Sequence, residues 1–475
     1  MQLNRIELSN EVTSIISSQK AFEENILPLK VEDGYLHIAV TDKNNLRLIN
    51  DLSFHTGLKI KAVELSPDII LMRLKEVYPN YNEKKNTTVE SISEVAINES
   101  SNVDFVNQVI SNAIKSEASD IHFESLELIY RIRYRIDGRL REVFNLPKSR
   151  SLSIASRLKI MANLDISEKR RPQDGKISFN HVGNNIDIRV STLPTGFGEK
   201  IVLRILNRTS VQLDINKLGL NESQLKLFQR KLKLPYGMIL VTGPTGSGKT
   251  TSLYAALQSI HSVEKNIMTI EDPIEYYLEG INQSHVKPEI GFDFASALRS
   301  FLRQDPDVIM VGEIRDQETA EIAIRSSLTG HLVFSTLHTN DSISTINRLI
   351  DMGIEPYLVA SSVKLIIAQR LVRKLCDCKI KSRKGVSVEN GLNHQLFEAK
   401  GCPSCSYSGY KGRTAIFEFF EITEQIADLI SQGASINEIK KYSQQNSFTS
   451  LKDSGFEKMN LGLTTYDEVL RETML

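Results

Sequence analysis

The sequence predicts an α/β protein with a parallel sheet at its centre and smaller α+β units ahead of it. Three features predict it. After residue 213, strand, glycine-rich turn and helix alternate, and "GMILVTG", "NIMTIEDP", "DVIMVGE" and "HLVFSTLH" are short apolar runs, as expected of strands covered on both faces. Earlier, "ELIYRIRYRIDGRLREVF" alternates apolar and polar residues about an Asp137-Gly138 turn, which is a β-hairpin signature. With 475 residues, the chain is also too long for one hydrophobic core.

Taken in order, "ILPLKVEDGYLHIAV" reads as two strands around a tight turn at Glu32 to Gly34, and "DIILMRLKEVY" (Asp68 to Tyr78) reads as a helix. The polar, weakly periodic residues 81–101 read as a linker after a first domain, 1–80. Val106, Val109, Ile110, Ala113 and Ile114 then share one helical face. After the hairpin come a helix over Ile154 to Leu164 and the strands "GKISFNH", "NIDIRVSTL" and "KIVLRIL". Together they make a small α+β domain, 102–213. The remainder, 214–475, is the doubly wound domain, closed by a helical C-terminal region.

Lys plus Arg and Asp plus Glu are 58 each, so the formal net charge is zero. That balance disfavours a nucleic-acid or anionic-lipid binder acting over its whole surface. No uninterrupted apolar window reaches the length of a membrane span. The best stretch, Tyr357 to Leu371, is broken by Ser361, Ser362, Lys364 and Gln369. The N-terminus has no apolar signal region, so a cytoplasmic location is expected, with any membrane attachment through partners.

"GPTGSGKTT" is a complete phosphate-binding loop: Gly243, Pro244, Thr245, Gly246, Ser247, Gly248, Lys249, Thr250 and Thr251. It follows a strand and opens a helix, as the motif requires. Its glycines let backbone N–H groups turn toward phosphate oxygens, and the helix N-terminus adds favourable charge. Lys249 is expected to reach the β- and γ-phosphates, and Thr250 to ligate Mg²⁺. Two strands end in carboxylates that face such a loop: one in Glu271 and Asp272, the other in Gly312 and Glu313. Glu313 suits Mg²⁺ bound through water, or activation of the attacking water. Sequence alone leaves open whether Glu271 or Glu313 is the base, and Asp272 reads equally as a capping carboxylate. His338 ends a further strand, where open α/β sheets bind ligands, and His331 begins it.

These motifs are specific enough to resemble a family. "GPTGSGKTTSLYAAL", "TIEDPIEY", "LRQDPDVIMVGEIRD" and "TGHLVFSTLHTNDS" resemble the Walker A, Asp, Walker B and His boxes of the secretion ATPase superfamily. The nearest branch is the type II secretion and type IV pilus assembly ATPases (the GspE/PilB group). "ASDIHFE", "YRIDGRL", "RRPQDGKIS" and "IDIRVSTLPTGFGEKIVLRIL" extend the resemblance to about residues 100–475, and the N-terminal domain shares it more weakly. The resemblance implies a RecA-like P-loop NTPase domain preceded by a PAS-like α+β domain and an N-terminal partner-docking domain. It implies a homohexamer that hydrolyses ATP. The partners would be an inner-membrane platform protein and an adaptor of a bacterial pilus or pseudopilus machine. It also implies arginines of the smaller domain that reach a nucleotide, here Arg189 and Arg204. Arg189 lies on the polar face of its strand, and Arg204 interrupts an apolar run and needs an anionic partner. Arg133 and Arg135 read as ordinary ion-pair partners. A RecA-like nucleic-acid translocase or helicase is the alternative.

The four cysteines fall in two pairs, Cys376 with Cys378 and Cys402 with Cys405. In a cytoplasmic chain this arrangement points to a metal before a disulfide. The family resemblance implies a structural Zn²⁺ knuckle within 374–412. "LCDC" departs from the family's spacing by one residue, which tightens that half of the site.

Overall fold

A computed structural model describes residues 102–206, 213–382, 395–446 and 448–474, most of 24–78, and Ile15, Ile16 and Ala21. The expected linker, 81–101, lies outside the described residues, as does 383–394 of the cysteine segment. The chain divides into two units, Met1–Thr88 and Val89–Leu475.

In the first unit, β1 (Leu27–Glu32) and β2 (Tyr35–Val40) form an antiparallel hairpin, and β3 (Lys59–Glu64) lies parallel to β2. Gly34 in the connection has φ +76°, a conformation glycine adopts without a Cβ penalty. Helix α1 (Pro67–Val77) starts at a proline, whose fixed φ suits a first helical turn. Its Ile70 and Leu74 share a core with Leu36, Ile38 and Val40 of β2.

The second unit begins with α2 (Asn102–Lys115). The strands β4 (Asp120–Ser125), β5 (Ile129–Ile136) and β6 (Arg139–Pro147) come next, followed by α3 (Ser151–Met161). Then come β7 (Gln173–His181), β8 (Asn184–Thr195) and β9 (Gly198–Leu206). The six strands form an antiparallel sheet in the order β6-β5-β4-β9-β8-β7. Alternation assigns the faces. Tyr130, Ile132 and Tyr134 of β5 join Phe105, Val109 and Leu158 of the helices in the core. Arg131, Arg133 and Arg135 take the other face and pair with Glu124 and Asp120 of β4.

The larger part of the unit starts at α4 (Glu222–Leu232), capped by Asn221. The strand β10 (Gly237–Thr242) is followed by α5 (Lys249–Ile260), and then come β11 (Ile267–Glu271) and β12 (Asn282–His285). After α6 (Phe294–Phe301) comes β13 (Val308–Val311), and after α7 (Gln317–Leu328) comes β14 (Leu332–Leu337). Helices α8 (Ser344–Asp351) and α9 (Pro356–Ser362) lead into β15 (Val363–Leu375). The short pair β16 (Ile380–Lys381) and β17 (Phe397–Glu398) precedes β18 (Tyr410–Glu421). The main sheet runs β12-β11-β13-β14-β10-β15-β18, and every pairing is parallel except β15 with β18. It is buried on both faces: Met238 and Leu240 of β10 enter one core, Ile239 and Val241 the other.

Four helices close the chain: α10 (Glu424–Ser431), α11 (Ile436–Gln445), α12 (Leu451–Asn460) and α13 (Tyr466–Thr473). Thr423, Ser435, Ser450 and Thr465 cap them by accepting backbone N–H bonds. These helices follow the long antiparallel pair β15–β18, which the sequence did not suggest. The apolar stretch Tyr357 to Leu371 divides between α9 and β15. Both faces of β15 are buried, so it carries no period-two signal. Among the described residues no helix is long and apolar enough to cross a membrane.

Candidate active site

The carboxyl ends of the parallel strands converge on one cavity of about 1010 Å³. The phosphate loop bends off β10 at its centre. Gly243 has φ +146°, and a Cβ there would stand 2.5 Å from the Gln369 carbonyl oxygen, so no larger residue fits. Gly248, with φ +89°, turns the chain into α5. All residues from Pro244 to Thr251 line the cavity. Lys249 Nζ donates to the carbonyl oxygens of Gly243 (2.8 Å) and Pro244 (3.1 Å). Burial lowers its pKa to about 8, with Glu313 opposing the shift and Arg370 adding to it.

Neighbouring strands end in two different carboxylates. Glu271, the last residue of β11, is buried and accepts from Thr269 Oγ1 (2.6 Å), Gln283 Nε2 (3.0 Å) and the Tyr254 hydroxyl. Burial first, and then the Glu271 charge, raise the Tyr254 pKa, so that hydroxyl keeps its proton. Glu313 follows β13 and Gly312 and is partly open. It pairs closely with Arg315, and its Oε2 lies 3.1 Å from His338 Nε2. Burial pushes the Glu313 carboxyl up, but Arg315 and then His338 outweigh it, and the net shift is downward. Asp272 caps no described helix and faces Arg315 at 3.6 Å. His331 Nδ1 lies 2.9 Å from the Ser326 carbonyl oxygen at the end of α7, away from these carboxylates.

Of the two arginines singled out in the smaller domain, Arg204 lines the cavity and Arg189 does not. Arg204 Nε is 3.1 Å from Asp120 Oδ1, and Arg135 contacts the same carboxylate at 3.3 Å. Arg189 reaches the Ile274 carbonyl oxygen (3.2 Å) and Glu275 (3.8 Å). Arg133 is bound to Glu124 at 2.7 Å.

Sequence reasoning gave no role to Tyr254, Arg315 or Arg370. Arg315 lies in the Walker B-like stretch, two residues after Glu313 and next to Asp316, and that adjacency was its only signal. Arg370 lies inside the apolar run of β15, where a cation among buried residues was itself a signal.

The cysteines come together at the far end of the β15–β18 pair. All four Sγ atoms lie within 4.8 Å of one another. The separations are 3.8 Å for Cys376–Cys402 and Cys402–Cys405, and 3.9 Å for Cys378–Cys405. Four Zn–S bonds of about 2.3 Å in a tetrahedron set sulfur atoms roughly 3.8 Å apart, so the cluster fits zinc. Burial raises the Cys405 thiol, but N–H bonds from Cys402 and Gly409 overcome this and bring it to about 6. A thiolate is the form a metal binds.

Comparison with known proteins gives the same picture from another direction. Residues 96–471 match the family described as Type II/IV secretion system protein, and residues 1–80 match the MshEN domain. The chain is 42% identical to the type IV pilus assembly ATPase PilB of Myxococcus xanthus, covering 100% of this chain and 88% of that one. It is 47% identical to the type II secretion system ATPase E of Vibrio cholerae, covering 78% of this chain and 75% of that one. Among solved structures, the pilus retraction motor PilT with bound ADP matches at TM-score 0.52 and 28% identity, over 77% of this chain and 96% of that one. The Legionella pneumophila ATPase DotB matches at TM-score 0.59 and 21% identity, over 77% and 94%, which speaks to fold alone.

Proposed function

The chain belongs to the type II/IV secretion system ATPases, and from that premise we propose that it powers assembly of a type IV pilus. PilB relatives align over 94–100% of this chain, its N-terminal domain included. The type II secretion relatives align over 78%, although their identity is higher there. The nucleic-acid translocase reading gets no support from the relatives reported.

In the proposed mechanism, ATP enters the cavity with its phosphates against the backbone N–H groups of the phosphate loop. Lys249 leaves the Gly243 and Pro244 carbonyls for the β- and γ-phosphates. Thr250 and Glu313 offer hard oxygen donors within one cavity and fit Mg²⁺. When bound, the ion neutralises charge on the phosphates. Glu313, kept ionised by Arg315 and His338, takes a proton from the attacking water. Glu271, already accepting from three donors, holds the floor of the site and is assigned a supporting role. Arg204 sits at the cavity wall as a cation for nucleotide phosphate, and Arg189 is left for a neighbouring subunit in a homohexamer. A structural zinc on Cys376, Cys378, Cys402 and Cys405 supplies folding energy to the β15–β18 end.

The observation that carries this reading is the convergence of Lys249, Glu313 and His338 on one cavity at the carboxyl edge of the sheet. We further assign the motor to the cytoplasmic face of the inner membrane, bound there through a platform protein and an adaptor. A full-length Glu313→Gln protein used as bait on detergent-solubilised membranes with ATP tests this assignment. Recovery of an integral membrane protein encoded with pilins supports it. Recovery of a type II secretion set, or ATPase stimulation by DNA alone, contradicts it.

A further inference from the structure

Most cations around the nucleotide cavity already have a carboxylate: Arg204 and Arg135 share Asp120, Arg373 is bound to Glu468, and Arg315 to Glu313. Arg370 differs. It lines the same cavity, is 2% exposed, and makes no ion pair among the described residues. Its Nη2 donates to the Asn340 carbonyl oxygen (2.9 Å) and its Nη1 to the Gln369 carbonyl oxygen (3.2 Å), while its buried Nε has no partner. Nη1 also stands 3.0 Å from where a Cβ on Gly243 would be, so the guanidinium rests against the first turn of the phosphate loop. A buried cation held only by carbonyl groups is costly, and a buried N–H left unmade is costly again. This arrangement suits a group that works near an anion.

The two places Arg370 touches are the two that hydrolysis must hold in register. Gly243 begins the loop that receives the phosphates. Asn340 lies two residues beyond His338, which is hydrogen-bonded to Glu313. The same loop is anchored independently of Arg370: Thr242 Oγ1 accepts from Thr339 N at 2.9 Å, and Glu418 Oε1 accepts from Ser342 N at 2.8 Å. Removing Arg370 therefore leaves the loop attached and removes only the brace that sets its distance from the phosphate loop.

We propose that Arg370 is a positioning residue for ATP hydrolysis, bracing the phosphate loop against the His338 loop so that the water activated by Glu313 meets the terminal phosphate in line. The proposal rests on the assignment of the site above. It acts on the γ-phosphate end and not on the bound diphosphate, so it separates turnover from ADP affinity. The test is steady-state ATP hydrolysis and direct ADP titration on full-length wild-type, Arg370→Gln, Arg370→Lys and Lys249→Ala proteins. The expected result for Arg370→Gln is a kcat at least about 30-fold lower, with ADP affinity within about threefold of wild type. Arg370→Lys keeps the charge but loses the planar fork, and is expected to lose about tenfold in kcat with the same unchanged ADP affinity. Should Arg370→Gln not fold, that split in Arg370→Lys decides the matter. A kcat within twofold of wild type in either folded variant, or equal losses of kcat and ADP affinity, overturns the proposal. If wild type turns over and Lys249→Ala does not, that outcome strikes Arg370 alone. A wild type without turnover overturns the site assignment and the proposal together.

Discussion

The ends of β11 and β13 are adjacent in the sheet, parallel, and each carries a glutamate, yet their surroundings are opposite. Glu271 is sealed among neutral donors: Tyr254, Thr269 and Gln283. Glu313 is partly open and lies between two groups that carry or accept positive charge, Arg315 and His338. A carboxylate saturated by fixed donors has little lone-pair capacity left for a new proton donor. One that is kept ionised by cations at an open edge can accept a proton from water. On the proposed mechanism, the glutamate that ends β11 has a structural task, and the one two residues past the end of β13 has a chemical task.

The contrast can be broken most severely by emptying the cavity. Lys249→Ala is expected to lower kcat/KM by roughly a thousandfold or more, since it removes the charge meant for the transferring phosphoryl group. A steady-state assay checks this, and residual turnover within tenfold of wild type would show that the cavity is misassigned. The cysteine cluster serves as a distant control. Stripping the metal with a chelator, or replacing Cys405 by Ser, should lower Tm by at least roughly 5 °C. It should also release about one zinc per chain, four thiolates being one tetrahedral site. Metal analysis and calorimetry read both, and the relative importance of Glu271 and Glu313 should not change.

A gentler change sharpens the comparison at β11. Tyr254→Phe removes one donor from Glu271 and should cost about 1–3 kcal/mol of stability, with kcat changed by no more than about fivefold. A loss in kcat that far exceeded this would move chemistry to Glu271. The smallest effect is a proton count. Lys249 has its pKa lowered to about 8 in the free protein, and phosphate charge raises it on binding. Near pH 8 the free lysine is half neutral, so ADP binding should take up about half a proton, falling toward zero at pH 6. Titration calorimetry in buffers of different ionisation enthalpy measures it, and proton release at pH 8 would have the wrong sign.

How far the sequence disclosed this site depends on how local each part is. The phosphate loop was legible because nine consecutive residues carry it and their helix follows directly. Glu271, Glu313 and His338 were legible as strand ends. Their unequal environments were not, because Tyr254 and Gln283 reach Glu271 from 17 and 12 residues away. Arg204 was expected to need an anion, with nucleotide phosphate favoured; the carboxylate beside it, Asp120, lies 84 positions earlier on a different strand and was not legible as its partner. β15 was missed for a physical reason: burial on both faces erases the alternation that marks a strand. Arg370 is one of four cations in that strand, and only the fold shows that it is buried against the cavity. The shortened Cys-x-Cys pair looked like a defect, yet Cys378 still reaches Cys405, because the β15–β18 pairing brings the two halves together.

The most direct test of the account compares Glu313→Gln with Glu271→Gln in single-turnover hydrolysis of prebound ATP. The account predicts that Glu313→Gln slows the chemical step by about a hundredfold or more, within the range for losing a general base. Glu271→Gln should slow it at least ten times less. An equal or larger loss in Glu271→Gln, on protein that melts like wild type, would contradict the division of roles between the two strand ends.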